Sequence, residues 1–143
     1  DLYGGEVLNR IRLHLEVIKK VREVVGEEYP VFIRLGASDY AEGGVTIEDS
    51  LIAAKEFEKA GIDVLDISGG LNGYKVENES EEGYFWPLTE AIKKNTNIPV
   101  ILTGGVVSSK GAEELLANGK ADLIGVGRAI LKDSLWAKQA MEV

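Results

Sequence analysis

The sequence predicts an α/β fold built on a parallel sheet, and three observations carry that prediction. Short, nearly continuous apolar runs recur at residues 31–35, 62–68, 99–103 and 123–126, as expected of strands covered on both faces. Stretches with helical apolar spacing separate them, so strands and helices alternate along the chain. Glycine follows each run, at Gly36, Gly69, Gly104 and Gly127, where a strand must turn into its crossover.

The chain opens on Asp1-Leu2-Tyr3-Gly4-Gly5 and enters a helix with no strand before it, which reads as a cut between two elements of something larger. Residues 7–25 form that helix, with Val7, Ile11, Ile18, Val21 and Val25 spaced along one face. Val31-Phe32-Ile33-Arg34-Leu35 follows Pro30 as a buried strand interrupted by one charge. Residues 36–44 are a loop. Thr46 stands at an N-cap position with Asp49 three residues on, so a helix runs over 47–60. Gly61 stops it. Residues 62–68 are the second strand and 69–85 a long polar loop. A helix starts near Pro87, a residue tolerated in the first turn. Residues 99–103 are the third strand, ended by Gly104-Gly105. Ser108 caps a helix that reaches Ala117 and closes at Asn118-Gly119. Residues 123–126 are the fourth strand, followed by Gly127-Arg128, and a last short helix runs from about Asp133 to the end. Right-handed crossovers between parallel strands follow from this order. A four-stranded doubly wound sheet and half of a (β/α)8 barrel share it, and periodicity does not separate them.

At 143 residues with 45% hydrophobic side chains, the chain is one domain able to bury a core. A formal charge of −8 argues against a broad electrostatic grip on nucleic acid or on an anionic membrane. A local anion site is compatible with that charge, since one arginine and a few amides suffice to hold a phosphate. The absence of cysteine excludes disulfides, thiolate metal sites and cysteine nucleophiles from this segment, and the single histidine, His14, excludes a histidine metal cluster. No apolar run approaches the roughly 18 residues that span a bilayer, and no signal peptide is visible. A soluble, cytoplasmic protein is the expectation.

Three features sit at the C-terminal ends of predicted strands, where parallel α/β architectures bind ligands. Gly104-Gly105 exposes backbone N–H groups and admits an anionic ligand, or else serves only as a tight turn needing positive φ. Gly127-Arg128 pairs an amide with a rigid fork of donors, or else belongs to a surface salt bridge. Taken together, glycine-rich ends on the last two strands match the phosphate site that many barrels build after strands seven and eight. Arg34 is the third feature, because a charge in a buried strand must be paired or used. It shares a face with Phe32, while Val31, Ile33 and Leu35 face the helices. Its partner is either Asp66 on the neighbouring strand or negative charge on a cofactor. His14 reads as a partly buried packing residue, and Glu77, Glu79, Glu81 and Glu82 as a solvated acidic loop. Tyr84, Phe85 and Trp86 read either as the edge of a pocket or as the apolar anchor of the next helix.

These segments resemble the old yellow enzymes and related NADH:flavin oxidoreductases. Tyr3-Gly4-Gly5 with Asn9-Arg10 is similar to that family's "YGGSLENRxRF". Residues 31–39 resemble "VRLSASD", residues 60–70 "AGVDYLDVSSG", residues 99–106 "PVIAVGGI", and residues 121–128 "ADLVALGR". The resemblance runs in order along essentially the whole chain. It implies a parallel (β/α) half-barrel, strands five to eight of a TIM barrel, with residues 1–143 as the C-terminal half of a larger flavoprotein.

It further implies FMN as cofactor, NADH or NADPH as reductant, and an activated alkene or related small molecule as acceptor. Arg34 would lie near the N1/C2-carbonyl edge of the flavin, and Gly104, Gly105, Gly127 and Arg128 would hold its phosphate. The family's substrate-binding histidine or asparagine pair, proton-donating tyrosine and flavin-contacting glutamine would precede this chain. No catalytic residue is therefore expected in it, and no metal ligand. Members with a 4Fe–4S cluster carry its cysteines beyond Val143, so the resemblance leaves that centre in the parent open. Leu8 replaces a usual glutamate, Ala129 a proline or glutamate, and Ser134 a common proline. Dihydroorotate dehydrogenase and tRNA-dihydrouridine synthase barrels end in similar strands, and a half-barrel scaffold that binds nothing is a further alternative. Half a barrel leaves sheet edges and an apolar face open, so self-association is expected.

Overall fold

A computed structural model describes residues 1–70 and 81–142. Its elements are α1 (Val7–Arg10), α2 (Arg12–Val25), β1 (Phe32–Gly36), α3 (Ile47–Lys59), β2 (Val64–Ser68), α4 (Trp86–Lys93), β3 (Val100–Thr103), α5 (Ser109–Ala117), β4 (Leu123–Gly125), α6 (Arg128–Lys132) and α7 (Trp136–Met141). Local chemistry starts and stops the middle helices where the sequence says it should. Thr46 Oγ1 accepts from the Asp49 amide at 3.3 Å, and Ser108 Oγ accepts from the Gly111 amide at 3.0 Å. Gly61, at φ 97°, leaves α3 through a backbone region costly for any residue with a Cβ.

The four strands are parallel and stand in the order β1-β2-β3-β4. That sequential order decides between the two architectures left open above. Each right-handed crossover steps the same way, so the helices gather on one face of the sheet, whereas a doubly wound sheet reverses and is covered on both. Burial agrees with this. Leu65, Ile67, Val100 and Leu102 are buried against Ala53, Ala54 and Phe57 of α3, Leu88 and Ile92 of α4, and Leu115 of α5. On the other face Phe32 is 56% exposed and Leu123 47% exposed. The strands are thus covered on one face, as expected of half a barrel, although their apolar runs read as covered on both. The fold is a parallel half-barrel.

Two aspartates lock the strand starts by the same device. Asp63 donates its amide to the Val31 carbonyl, and its carboxylate accepts from the Val31 amide at 2.7 Å. Asp122 donates to the Val100 carbonyl, and its carboxylate accepts from the Val100 amide at 2.9 Å. Each is also ion-paired, Asp63 with Arg22 and Asp122 with Lys93. The Val31 amide and the Arg22 guanidinium together hold Asp63 below the ordinary carboxylate range. Burial pushes Asp122 upward, but Lys93 and the Val100 amide outweigh it and hold that carboxyl low as well.

Two elements depart from the sequence reading. The first helix breaks at Ile11, whose φ of −89° and ψ of −3° close α1 before α2 begins. Only Ile11 and Ile18 of its predicted stripe are buried; Val21 and Val25 are each 37% exposed, beside a second apolar stripe of Leu13, Val17 and Val24. His14 lies on the exposed side, its ring 5.8 Å from that of Phe57, and is not the partly buried residue expected. The last helix, expected from about Asp133, is α7 from Trp136, and an unexpected short helix, α6, precedes it from Arg128. Among the described residues no helix is long and apolar enough to cross a membrane.

Candidate anion-binding site

β3 and β4 lie side by side with Thr103 opposite Gly125, so their C-terminal ends open together. A cavity of about 630 Å³ lies there, and Gly104, Gly105, Gly127 and Arg128 all line it. Lys132 and Trp136 complete its outer wall. Among the described residues its lining includes no carboxylate, although the chain carries 24 acidic side chains against 16 basic ones. The sign of charge is therefore reversed locally.

The glycines are there for two different reasons. Gly105 has φ 69°, and a Cβ on it would sit 2.2 Å from the Tyr84 ring. A Cβ on Gly104 would meet the Phe85 ring at 2.5 Å. Both positions need glycine simply to make the turn beneath these rings. Gly127 is different: its φ is negative, −118° with ψ −81°, and no atom lies within 4 Å of the place its Cβ would take. Neither a positive φ nor packing accounts for glycine there. The space it leaves is on the cavity wall.

Arg128 donates from Nη2 to the Tyr84 hydroxyl at 3.2 Å, which ties its guanidinium to the ring covering Gly105. Trp136 donates from Nε1 to the Val107 carbonyl at 2.7 Å and so ties α7 to the same turn. Tyr84 thus edges the pocket, while buried Phe85 anchors the start of α4; the two readings of this aromatic run divide between its residues. Trp86 stacks under Lys120, whose Nζ is 3.7 Å from the ring centroid.

Arg34 is not on the cavity wall. Its Nε and Nη2 donate to Asp66 Oδ2 at 2.8 and 2.6 Å, and Thr103 Oγ1 donates to the other carboxylate oxygen at 2.6 Å. Asp66 therefore bridges three strands and links Arg34 to a residue that does line the cavity. The Arg34 side chain is 62% exposed, and an ion pair this open is worth under about 1 kcal/mol. Stability alone does not account for a charge at that strand position.

Glu82 corrects the reading of a solvated loop. Its carboxylate accepts from the Val107 amide at 2.8 Å, the Ser108 amide at 2.9 Å and the Ser108 hydroxyl at 2.6 Å. Glu77 and Glu79 lie outside the described residues. Sequence reasoning also missed Lys132 and Trp136. Reading Arg128 as the start of a helix would have found Lys132, since positions four apart on a helix share a face.

Residues 1–142 match the sequence profile of the NADH:flavin oxidoreductase / NADH oxidase family. The chain is 40% identical to an NADH oxidase of Thermoanaerobacter brockii, over 99% of this chain and 22% of that protein. It is 39% identical to an NADPH dehydrogenase of Halalkalibacterium halodurans, over 98% of this chain and 40% of that protein. It thus spans less than half the length of these relatives. Among solved structures, 2-naphthoyl-CoA reductase in complex with 2-naphthoyl-CoA superposes with a TM-score of 0.91 at 31% identity, over 99% of this chain and 22% of that one.

Proposed function

Because the chain belongs to the NADH:flavin oxidoreductase / NADH oxidase family, we propose that it supplies the phosphate-binding half, strands five to eight, of an FMN-dependent oxidoreductase barrel. The observation behind this is the cavity where Arg128 and Lys132 stand among glycine turns with no described carboxylate on the wall. A phosphate monoester suits that donor set. Gly104, Gly105 and Gly127 let its oxygens approach main-chain N–H groups without side chains in the way. Arg128 adds a charged, planar pair of donors, and the Tyr84 hydroxyl limits the positions its guanidinium takes.

When bound, FMN would supply the redox chemistry, hydride transfer from NADH or NADPH to a small-molecule acceptor such as an activated alkene. Arg34 would serve the ring end of that cofactor, where its cation would balance negative charge. Asp66 holds Arg34 at that end, and the Thr103 hydroxyl holds Asp66. No catalytic residue is assigned to this chain, so with added FMN and NADH or NADPH it is expected not to reduce enones, and measurable NAD(P)H-dependent enone reduction would overturn that. A chain without cysteine offers no thiolate ligand to an iron–sulfur cluster.

Self-association belongs to the same proposal. β1 and β4 are the sheet edges, and exposed Phe32 and Leu123 lie on the uncovered face. Light scattering is expected to give a mass above 15.5 kDa at high concentration; a clean monomer there counts against this part.

Arg128→Ala tests the site itself. Loss of a charged hydrogen-bonding pair should weaken FMN binding about tenfold to a hundredfold, as measured by calorimetry, with far-UV dichroism unchanged. Undiminished affinity would show that the phosphate sits elsewhere.

A further inference from the structure

The segment 104–108 carries the two glycines of the cavity and is held at its far end by Trp136, on the cavity's outer wall, and by Glu82, which does not line it. Val107 is gripped from both sides: its carbonyl accepts from Trp136 Nε1, and its amide donates to Glu82. Glu82 also accepts from the amide and the hydroxyl of Ser108, and that hydroxyl in turn accepts from the Gly111 amide. The fit is close, since a Cβ on Gly111 would lie 2.5 Å from the Glu82 carboxylate. The N-terminus of α5, the helix that follows the cavity turn, is thereby filled by an anion of the protein's own.

We infer that Glu82 is a positioning residue for the anion site: it occupies the first turn of α5, fixes Val107 and Ser108, and so directs the ligand phosphate to the turns at Gly104, Gly105 and Gly127. This rests on the phosphate reading above and deepens it. The carboxylate touches no ligand, and it acts through the backbone it holds. Burial pushes Glu82 upward, but Ser108 and the Val107 amide outweigh it and keep the group below the ordinary glutamate range. The anchor is therefore charged throughout the neutral range.

The sign of the effect separates this role from that of a bystander. A carboxylate that merely sits near an anion site repels the anion, so neutralising it should tighten binding. Neutralising a positioning carboxylate should loosen it, because the turn loses the acceptor that orders it. Glu82→Gln keeps the size and removes the charge. With FMN as probe, its affinity is expected to fall about tenfold, on the scale of one charge-assisted hydrogen bond. Equal or tighter binding by a folded Glu82→Gln overturns the inference and leaves the phosphate reading standing. Failure of the wild-type chain to bind FMN sinks the phosphate reading and this inference with it.

Amide spectra of the wild-type protein keep the test decisive if the variant does not fold. The Val107 and Ser108 amides should report a carboxyl titrating below the ordinary glutamate range, and they should hold their shifts when inorganic phosphate moves Gly104 and Gly105. A titration at the ordinary value, or phosphate shifts centred on Ser108 and Gly111, would overturn it.

Discussion

At the scale of single residues, the two kinds of glycine in the cavity separate folding from binding. Gly105 takes positive φ beneath the Tyr84 ring, 2.2 Å from where a Cβ would stand, so Gly105→Ala combines backbone strain with a clash. It should destabilise the chain by about 1–3 kcal/mol, seen as a lower melting temperature. Gly127→Ala meets open space at φ −118°. Its melting temperature should stay within error of wild type while FMN affinity falls, because the new methyl group stands where phosphate oxygens approach. A Gly127→Ala protein that binds FMN as well as wild type would remove that glycine from the site. The sequence made these positions visible as glycines after strands, but it did not distinguish them. That difference depends on Tyr84, twenty-one residues before Gly105 in the chain, and no local pattern encodes it. Arg34 was the converse case. A charge between apolar neighbours was conspicuous, and its face, shared with Phe32, followed from strand alternation, while Asp66 was one of two partners left open and is the one paired here.

At the scale of elements, caps and stops were legible wherever one side chain decides them, as at Thr46, Gly61 and Ser108. Reading was harder where tertiary packing decides. The break at Ile11 has no proline or glycine to announce it, and α6 begins inside a segment taken for loop. Glu82 was misread because its partners, Val107 and Ser108, lie on another crossover. The paired aspartates at the strand starts make a prediction at this scale. Asp63 and Asp122 are both held below the ordinary carboxylate range. Their contribution is then complete above the unfolded-state value near ~3.9 and is lost as pH falls through the lower folded-state values. Asp63→Asn and Asp122→Asn should each lower stability at pH 7 by about 1 kcal/mol, a modest figure because both side chains are partly exposed. The gap from wild type should close as denaturation is repeated towards pH 2. A gap that stays constant with pH would show that the carboxylates contribute by shape rather than charge.

At the scale of the whole molecule, alternation of strands and helices predicted the parallel sheet, but the strand order settled its kind. A sequential order with helices on one face is a segment of barrel wall. Family membership then favours an NADH:flavin oxidoreductase over the other flavin barrels with similar final strands. The uncovered face could not be read from the strands, because a barrel interior is as apolar as a helix-covered face. The central claim is that this half of the barrel grips FMN by its phosphate, and the most direct measurement compares two flavins that differ only in that group. Titrating the wild-type chain into FMN and into riboflavin, followed by flavin fluorescence, is expected to show saturable binding of FMN. Riboflavin should bind at least about a hundredfold more weakly, on the scale of two charge-assisted hydrogen bonds that it has no phosphate to make. Equal binding of the two, or no binding of FMN, would contradict the account.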